Sequence, residues 1–170
     1  MAKQNRLSLN LVVADALKAL QFYERVLDAT RGDIYAFPNR SQENEVNLIV
    51  GNVALRLIDA NSIYDCFSPK MSQADSFWLQ LMVEDVDLIL ARAERYGATE
   101  IQAASEFMGV RHAQFTDPFG YTWTIQHVLK EISFQERHDV YAKLQQKTKA
   151  EDDSTEEKNA RKTARIAQAD

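Results

Sequence analysis

Few side chains of this sequence could make or break bonds, and their neighbours offer little help. His112 stands in Val-Arg-His-Ala. It could act as a general base, because imidazole titrates near neutral pH. No Asp, Ser or Cys beside it completes a triad pattern, so a surface position is the stronger reading. His127 falls on the outer side of a candidate strand, and His138 on a solvated terminal helix. Cys66 is the one cysteine. That excludes a disulfide framework and a Cys-rich zinc site. It has no basic cluster to lower its pKa and reads as an inert, reduced thiol. The better-equipped residues are binders. Arg56 offers a planar fork of donors to an anion. Asn10, Gln80, Thr124 and Gln126 both donate and accept. Trp78 could stack on a flat ligand. Each also has a plain structural role: Arg56 in an internal ion pair or at a rim, the two glutamines bonded to each other, Trp78 as filler. Asp117-Pro-Phe-Gly120 looks catalytic on paper, but turn chemistry explains it better.

These residues need a scaffold, and an internal repeat supplies one. Leu9-Asn-Leu-Val-Val-Ala-Asp15 matches Leu79-Gln-Leu-Met-Val-Glu-Asp85 at an offset of 70. Each is a short strand pattern ending in Asp, and a helical pattern follows. Asp15 and Asp85 are natural N-caps, since a carboxylate accepts from the orphan N–H groups of a first turn. The helices run from Asp15 to about Leu27 and from Asp85 to Tyr96. Strand candidates follow at roughly 30–37 and 99–104. Hairpins then turn at Gly51-Asn52, between 45–50 and 53–59, and at Asp117–Gly120, between 111–116 and 121–127. Gly and Pro supply the φ values such turns need. The pattern is βαβββ, twice, joined by a loop at 60–76. Alternate side chains of a strand face opposite sides. Odd positions such as Leu9, Leu11, Leu55, Leu57, Leu81, Trp123 and Ile125 are apolar and suit a helix-covered face. The even positions of these strands, from Ser8 and Asn10 to Thr124 and Gln126, are mixed. A dry core would not hold them without partners, so a ligand-binding cup is expected. On the even positions of these four strands no Asp or Glu accompanies Arg56. Water or an anionic ligand is therefore its expected partner, with Asp59 pointing away.

The remaining sequence sets bounds. The chain has 170 residues and a net charge of −5, with 45% apolar and 26% charged residues. It fits one soluble domain with a tail. A wholly basic nucleic-acid binder is not expected. No apolar run approaches the ~18 residues of a membrane span. A cytoplasmic protein is expected, with no nucleic-acid or membrane partner. Ser133 with Glu136 has capping-box spacing and starts a terminal helix at 131–148. The charged run 149–170 contains a second such pair, Ser154 with Glu157, and reads as a disordered or solvated helical tail.

The two βαβββ modules, the helix Ala19-Leu-Gln-Phe-Tyr-Glu-Arg-Val-Leu-Asp-Ala29 and the closing Thr116–His127 resemble the vicinal oxygen chelate superfamily. That is the glyoxalase, bleomycin-resistance and extradiol-dioxygenase group. The run Glu106–Gly120, with a Trp three residues on, is most similar to its PhnB-like branch. The resemblance covers roughly residues 7–145 and implies an α+β fold. Two tandem modules, about 7–59 and 77–130 within a domain at 1–130, would form an open barrel-like sheet around a cavity. It also implies four metal-ligand positions, which fall on Ser8, Arg56, Trp78 and Thr124. None suits a divalent ion, and Arg56 would repel one. The expectation is therefore a small-molecule-binding protein without metal or cofactor that sequesters an anionic or aromatic compound. Its cavity would be lined by Asn10, Arg56, Trp78, Gln80, Thr124 and Gln126, with His112 nearby. The alternatives are an enzyme of the same fold (lyase, isomerase or dioxygenase type) with non-standard active-site residues, and an interaction protein acting through its tail. A homodimer is expected, with Phe67, Met71 and Phe77 as candidates for a covered rim.

Overall fold

Periodicity decides the elements. The computed structural model describes residues 8–36, 43–69 and 77–146. The first module runs β1 (Ser8–Val13), α1 (Ala16–Val26), β2 (Thr30–Tyr35), β3 (Glu45–Val50) and β4 (Val53–Asp59). The second runs β5 (Leu79–Met82), α2 (Val86–Arg95), β6 (Thr99–Phe107), β7 (Val110–Thr116) and β8 (Thr122–Val128). Strand β6 is three residues longer than the pattern suggested, because its second half stays paired with β7 through two irregularities. Both helices start as expected. Asp15 accepts from the Lys18 N–H at 3.0 Å, and Asp85 from the Leu88 N–H at 2.9 Å.

Each module forms a separate four-stranded sheet, in the orders β1-β4-β3-β2 and β5-β8-β7-β6. The outer pairs β1–β4 and β5–β8 are parallel, and the remaining pairs are antiparallel. Among the described residues no strand of one sheet pairs with the other, so the fold is α+β without a closed barrel. The odd-numbered side chains Leu11, Leu55, Leu57, Trp123 and Ile125 join both helices in one core. Burial of such side chains contributes about 1.5–3 kcal/mol each.

Two buried carboxylates lock α1 in place. Asp59, at the end of β4, accepts from the Ala16 N–H at 2.6 Å and from Asn44. It points away from the Arg56 side, as strand parity requires. Asp117, in the β7–β8 turn, accepts from the Tyr23 hydroxyl of α1 at 2.6 Å. Gly120 completes that turn at φ +94°, and a Cβ there would stand 2.9 Å from the Pro69 carbonyl oxygen. Both facts require glycine.

The connector is not wholly irregular. Ser62–Tyr64 forms a 3-10 turn, closed by a bridge between Asn61 and Cys66. The chain divides into two compact units, 1–129 and 130–170. In the second unit, residues 134–146 are helical, designated α3. The Ser133–Glu136 capping box forms in both directions: Ser133 Oγ accepts from the Glu136 N–H, and the Glu136 carboxylate from the Ser133 N–H. Among the described residues, no helix is long and apolar enough to cross a membrane. Met71, the end of the terminal helix and the charged tail lie outside the described residues.

Candidate functional site

The even side of each sheet carries a row of polar side chains set by strand register. On the first sheet, β1 places Asn10 opposite Arg56 of β4, and β3 places Asn47 on its other side. On the second, Gln80 of β5 stands beside Thr124 of β8, then Gln114 of β7, then Gln102 of β6. A second row reads Met82, Gln126, His112 and Ser105. In-register neighbours lie within side-chain reach, so each row acts as one surface. The rows are tied internally. Gln114 Nε2 donates to Thr124 Oγ1 at 3.3 Å, and Gln126 Nε2 to the Met82 sulfur at 3.0 Å. His112 Nε2 lies 3.1 Å from Gln102 Nε2 and 3.5 Å from Ser105 Oγ.

The expected partner of Arg56 is corrected here. Its guanidinium pairs through Nη2 with the Glu45 carboxylate, a protein group and not water or a ligand. Glu45 lies on β3, diagonal to Arg56 and on the same face. The four strands first considered did not include β3. The Arg56 Nε is buried without a hydrogen-bond partner. Gln80 and Gln126 do not reach each other as a bonded pair in the observed network, where Gln126 turns to Met82. His127 sits on the helix side, with Nδ1 2.9 Å from the Val83 carbonyl oxygen. His138 is exposed and 3.6 Å from Asp139. Cys66 Sγ contacts the Tyr64 carbonyl at 3.5 Å.

The structure divides the predicted residues between two faces. Asn10 and Arg56 share the first. Gln80, Thr124, Gln126 and His112 share the second, with Trp78 at its edge and 59% exposed. Both faces are open. A cavity of about 400 Å³ lies at the seam between the modules instead. It is lined mainly by apolar side chains, including Leu9, Leu55, Leu79, Leu81 and Trp123. Of the predicted residues only Gln80 lines it.

Sequence reasoning also passed over the role of Asp117. Its carboxylate accepts from the Tyr23 hydroxyl, Trp123 Nε1 at 2.9 Å and the Phe119 and Tyr121 N–H groups, each at 2.9 Å. Burial pushes its pKa up, while these four donors pull it down, with burial the larger effect. Burial also raises Tyr23 far above the usual phenol value, and Tyr121 to about 12. Asp117 ties Tyr23 of the first module to Trp123 of the second, so the cluster is a structural joint between modules. The bond from Asp117 to the Phe119 N–H was legible as an Asx-type turn. The contact with Tyr23 spans 94 positions and had no local signal.

Residues 5–125 match the Glyoxalase/Bleomycin resistance protein/Dioxygenase superfamily. The chain belongs to that superfamily. An uncharacterized protein of Mycobacterium tuberculosis H37Rv is 28% identical over 133 residues, covering 76% of this chain and 78% of that protein. Among solved structures, a family enzyme from Burkholderia phytofirmans superposes with a TM-score of 0.59 at 24% identity, over 74% of this chain and all of that one. The fosfomycin resistance protein FosX of Listeria monocytogenes, solved with Mn(II) and sulfate, superposes at 0.57 and 14% identity, covering 80% and 98%. These likenesses show the fold. A metal of the FosX kind does not fit the residues here. The positions the resemblance implies hold Ser8, Arg56, Trp78 and Thr124, and the guanidinium of Arg56 is tied to Glu45. Among the described residues, no group of three His, Cys, Asp or Glu side chains is placed to hold an ion.

Proposed function

We propose that this superfamily member is a metal-free small-molecule-binding protein of PhnB-like type, which sequesters its ligand between the two polar faces. The observation that carries this is the pair of in-register rows, Asn10–Arg56–Asn47 and Gln80–Thr124–Gln114–Gln102. They include Arg56 and Thr124, two of the four positions at which the resemblance implies a metal ligand, and they consist of groups that orient a ligand by hydrogen bonds. Trp78 adds a stacking surface at the rim. His112 contacts Gln102 and Ser105 rather than a carboxylate, which suits a binding group better than an activated base. Sequestration needs only affinity, so it calls for no activated nucleophile on these faces.

Each chain leaves both faces open, and the proposal includes a homodimer that closes them. The internal repeat makes the first face of one copy a natural counterpart to the second face of another.

The test is native mass spectrometry with elemental analysis of untagged protein. We expect a dimer, a retained organic compound in at least part of the sample and divalent metal well below one per chain. Near-stoichiometric zinc, nickel, manganese or iron would overturn the metal-free reading.

A further inference from the structure

The β5–β8 face has a property the proposed function does not require: among the described residues, its two rows carry no formal charge. Its two rows consist of Gln80, Thr124, Gln114 and Gln102, and of Met82, Gln126, His112 and Ser105. The charged side chains of the same strands lie on the other side. Arg111, for example, reaches back to Asp87 of α2 at 2.6 Å. His112 is the only titratable side chain in the rows. On the opposite module, the one cation of the row is already balanced by Glu45.

We infer that the ligand held on the β5–β8 face is uncharged: a flat compound that presents carbonyl and N–H groups together. This rests on the small-molecule reading above and narrows it. Carboxamides and hydroxyls each donate and accept, so the rows can match either group of such a ligand at several positions. An ionised ligand would meet no counter-charge. It would give up hydration without a compensating ion pair, which disfavours it relative to a neutral isostere. The apolar seam cavity adjoins this face at Gln80 and Met82, and it favours a ligand with an apolar ring system for the same reason. The anion preference that Arg56 suggested in the sequence is thereby replaced, because the Glu45 carboxylate already balances its charge.

Isosteric probes that differ only in charge test this. Benzamide, benzoate and benzamidinium, and the matching 2-naphthyl trio, would be titrated into the full-length protein at pH 8. That pH lies above the ordinary imidazole range. Binding is read from NMR shifts of the asparagine and glutamine side-chain amides and the Trp78 indole. The carboxamides should bind at least fivefold more tightly than either charged partner. Thr124→Val and Gln114→Met should each weaken them at least threefold while the spectra remain those of a folded protein. A carboxylate or amidinium that binds as tightly as the amide would overturn the uncharged-ligand inference and leave small-molecule binding intact. Carboxylate binding that is lost in Arg56→Leu would do the same. No response on either face to any of the six probes would overturn both.

Discussion

Asp117 is ionisable, fully buried and surrounded by four donors, so two effects compete for its proton. Burial disfavours the carboxylate, and the hydrogen bonds favour it. Burial is the larger, and the folded pKa lies above the 3.8 of a free Asp. The folded protein therefore takes up this proton at a higher pH than the unfolded chain does. As pH falls through that window, the group adds stability; as pH rises through it, that increment is lost. Asparagine cannot titrate, and it turns an NH2 toward donors that need an acceptor. Asp117→Asn should cost about 2–4 kcal/mol at pH 7. The gap between wild type and variant should widen between pH 7 and pH 4.5. Urea unfolding at the two pH values checks this. A gap that narrows on acidification would mean that the donors, not burial, set the ionisation. Arg56 shows the same scale from the other side: one cross-strand carboxylate changes it from a ligand hook into half of an ion pair.

Asp59 acts on a whole element. Its two oxygens join the first N–H of α1 to Asn44 ahead of β3, so one side chain fixes a helix start and a strand entry together. Asp59→Ala should destabilise the protein by about 1–3 kcal/mol, as lost caps and unsatisfied donors do. Hydrogen exchange should show the loss concentrated at Ala16 and Asn44. Uniform exchange across the first module would argue against a local tie. Elements of this kind were largely legible in the sequence. Asp15 and Asp85 mark helix starts by type and place, and the alternation in β1, β4, β5 and β8 separates core side from open side. What stayed hidden depended on lateral pairing. Glu45 could have been found, because the Gly51-Asn52 turn fixes which β3 residues flank Arg56. The rows through Gln114 and Gln102 required the β6–β7 register, which two irregularities disturb. The bond from Tyr23 to Asp117 crosses modules and follows only from tertiary packing.

At the scale of the whole molecule, one core serves both modules, and the polar faces turn outward from it. That arrangement leaves Ile49, Trp78 and Met82 on or beside open sheet faces, 49%, 59% and 54% exposed. Large apolar side chains left exposed beside polar sheet faces mark a surface that something covers. A second copy is the occupant that the repeat favours. In the proposed homodimer, two-fold pairing would bring the first face of each chain over the second face of its partner, so that the contact would occur twice and close. The expected mass in solution is therefore twice the 19.4 kDa of one chain. Trp78→Arg should weaken association at least tenfold, about 1.4 kcal/mol. It should leave the fold intact, because Trp78 precedes β5 and contributes nothing to the buried core. Light scattering over a dilution series measures both effects. A wild-type monomer at tens of micromolar would refute the closure. A dimer unaffected by Trp78→Arg would show that the copies meet elsewhere. In that case each polar face would stay open, and the binding site would have to be built within a single chain.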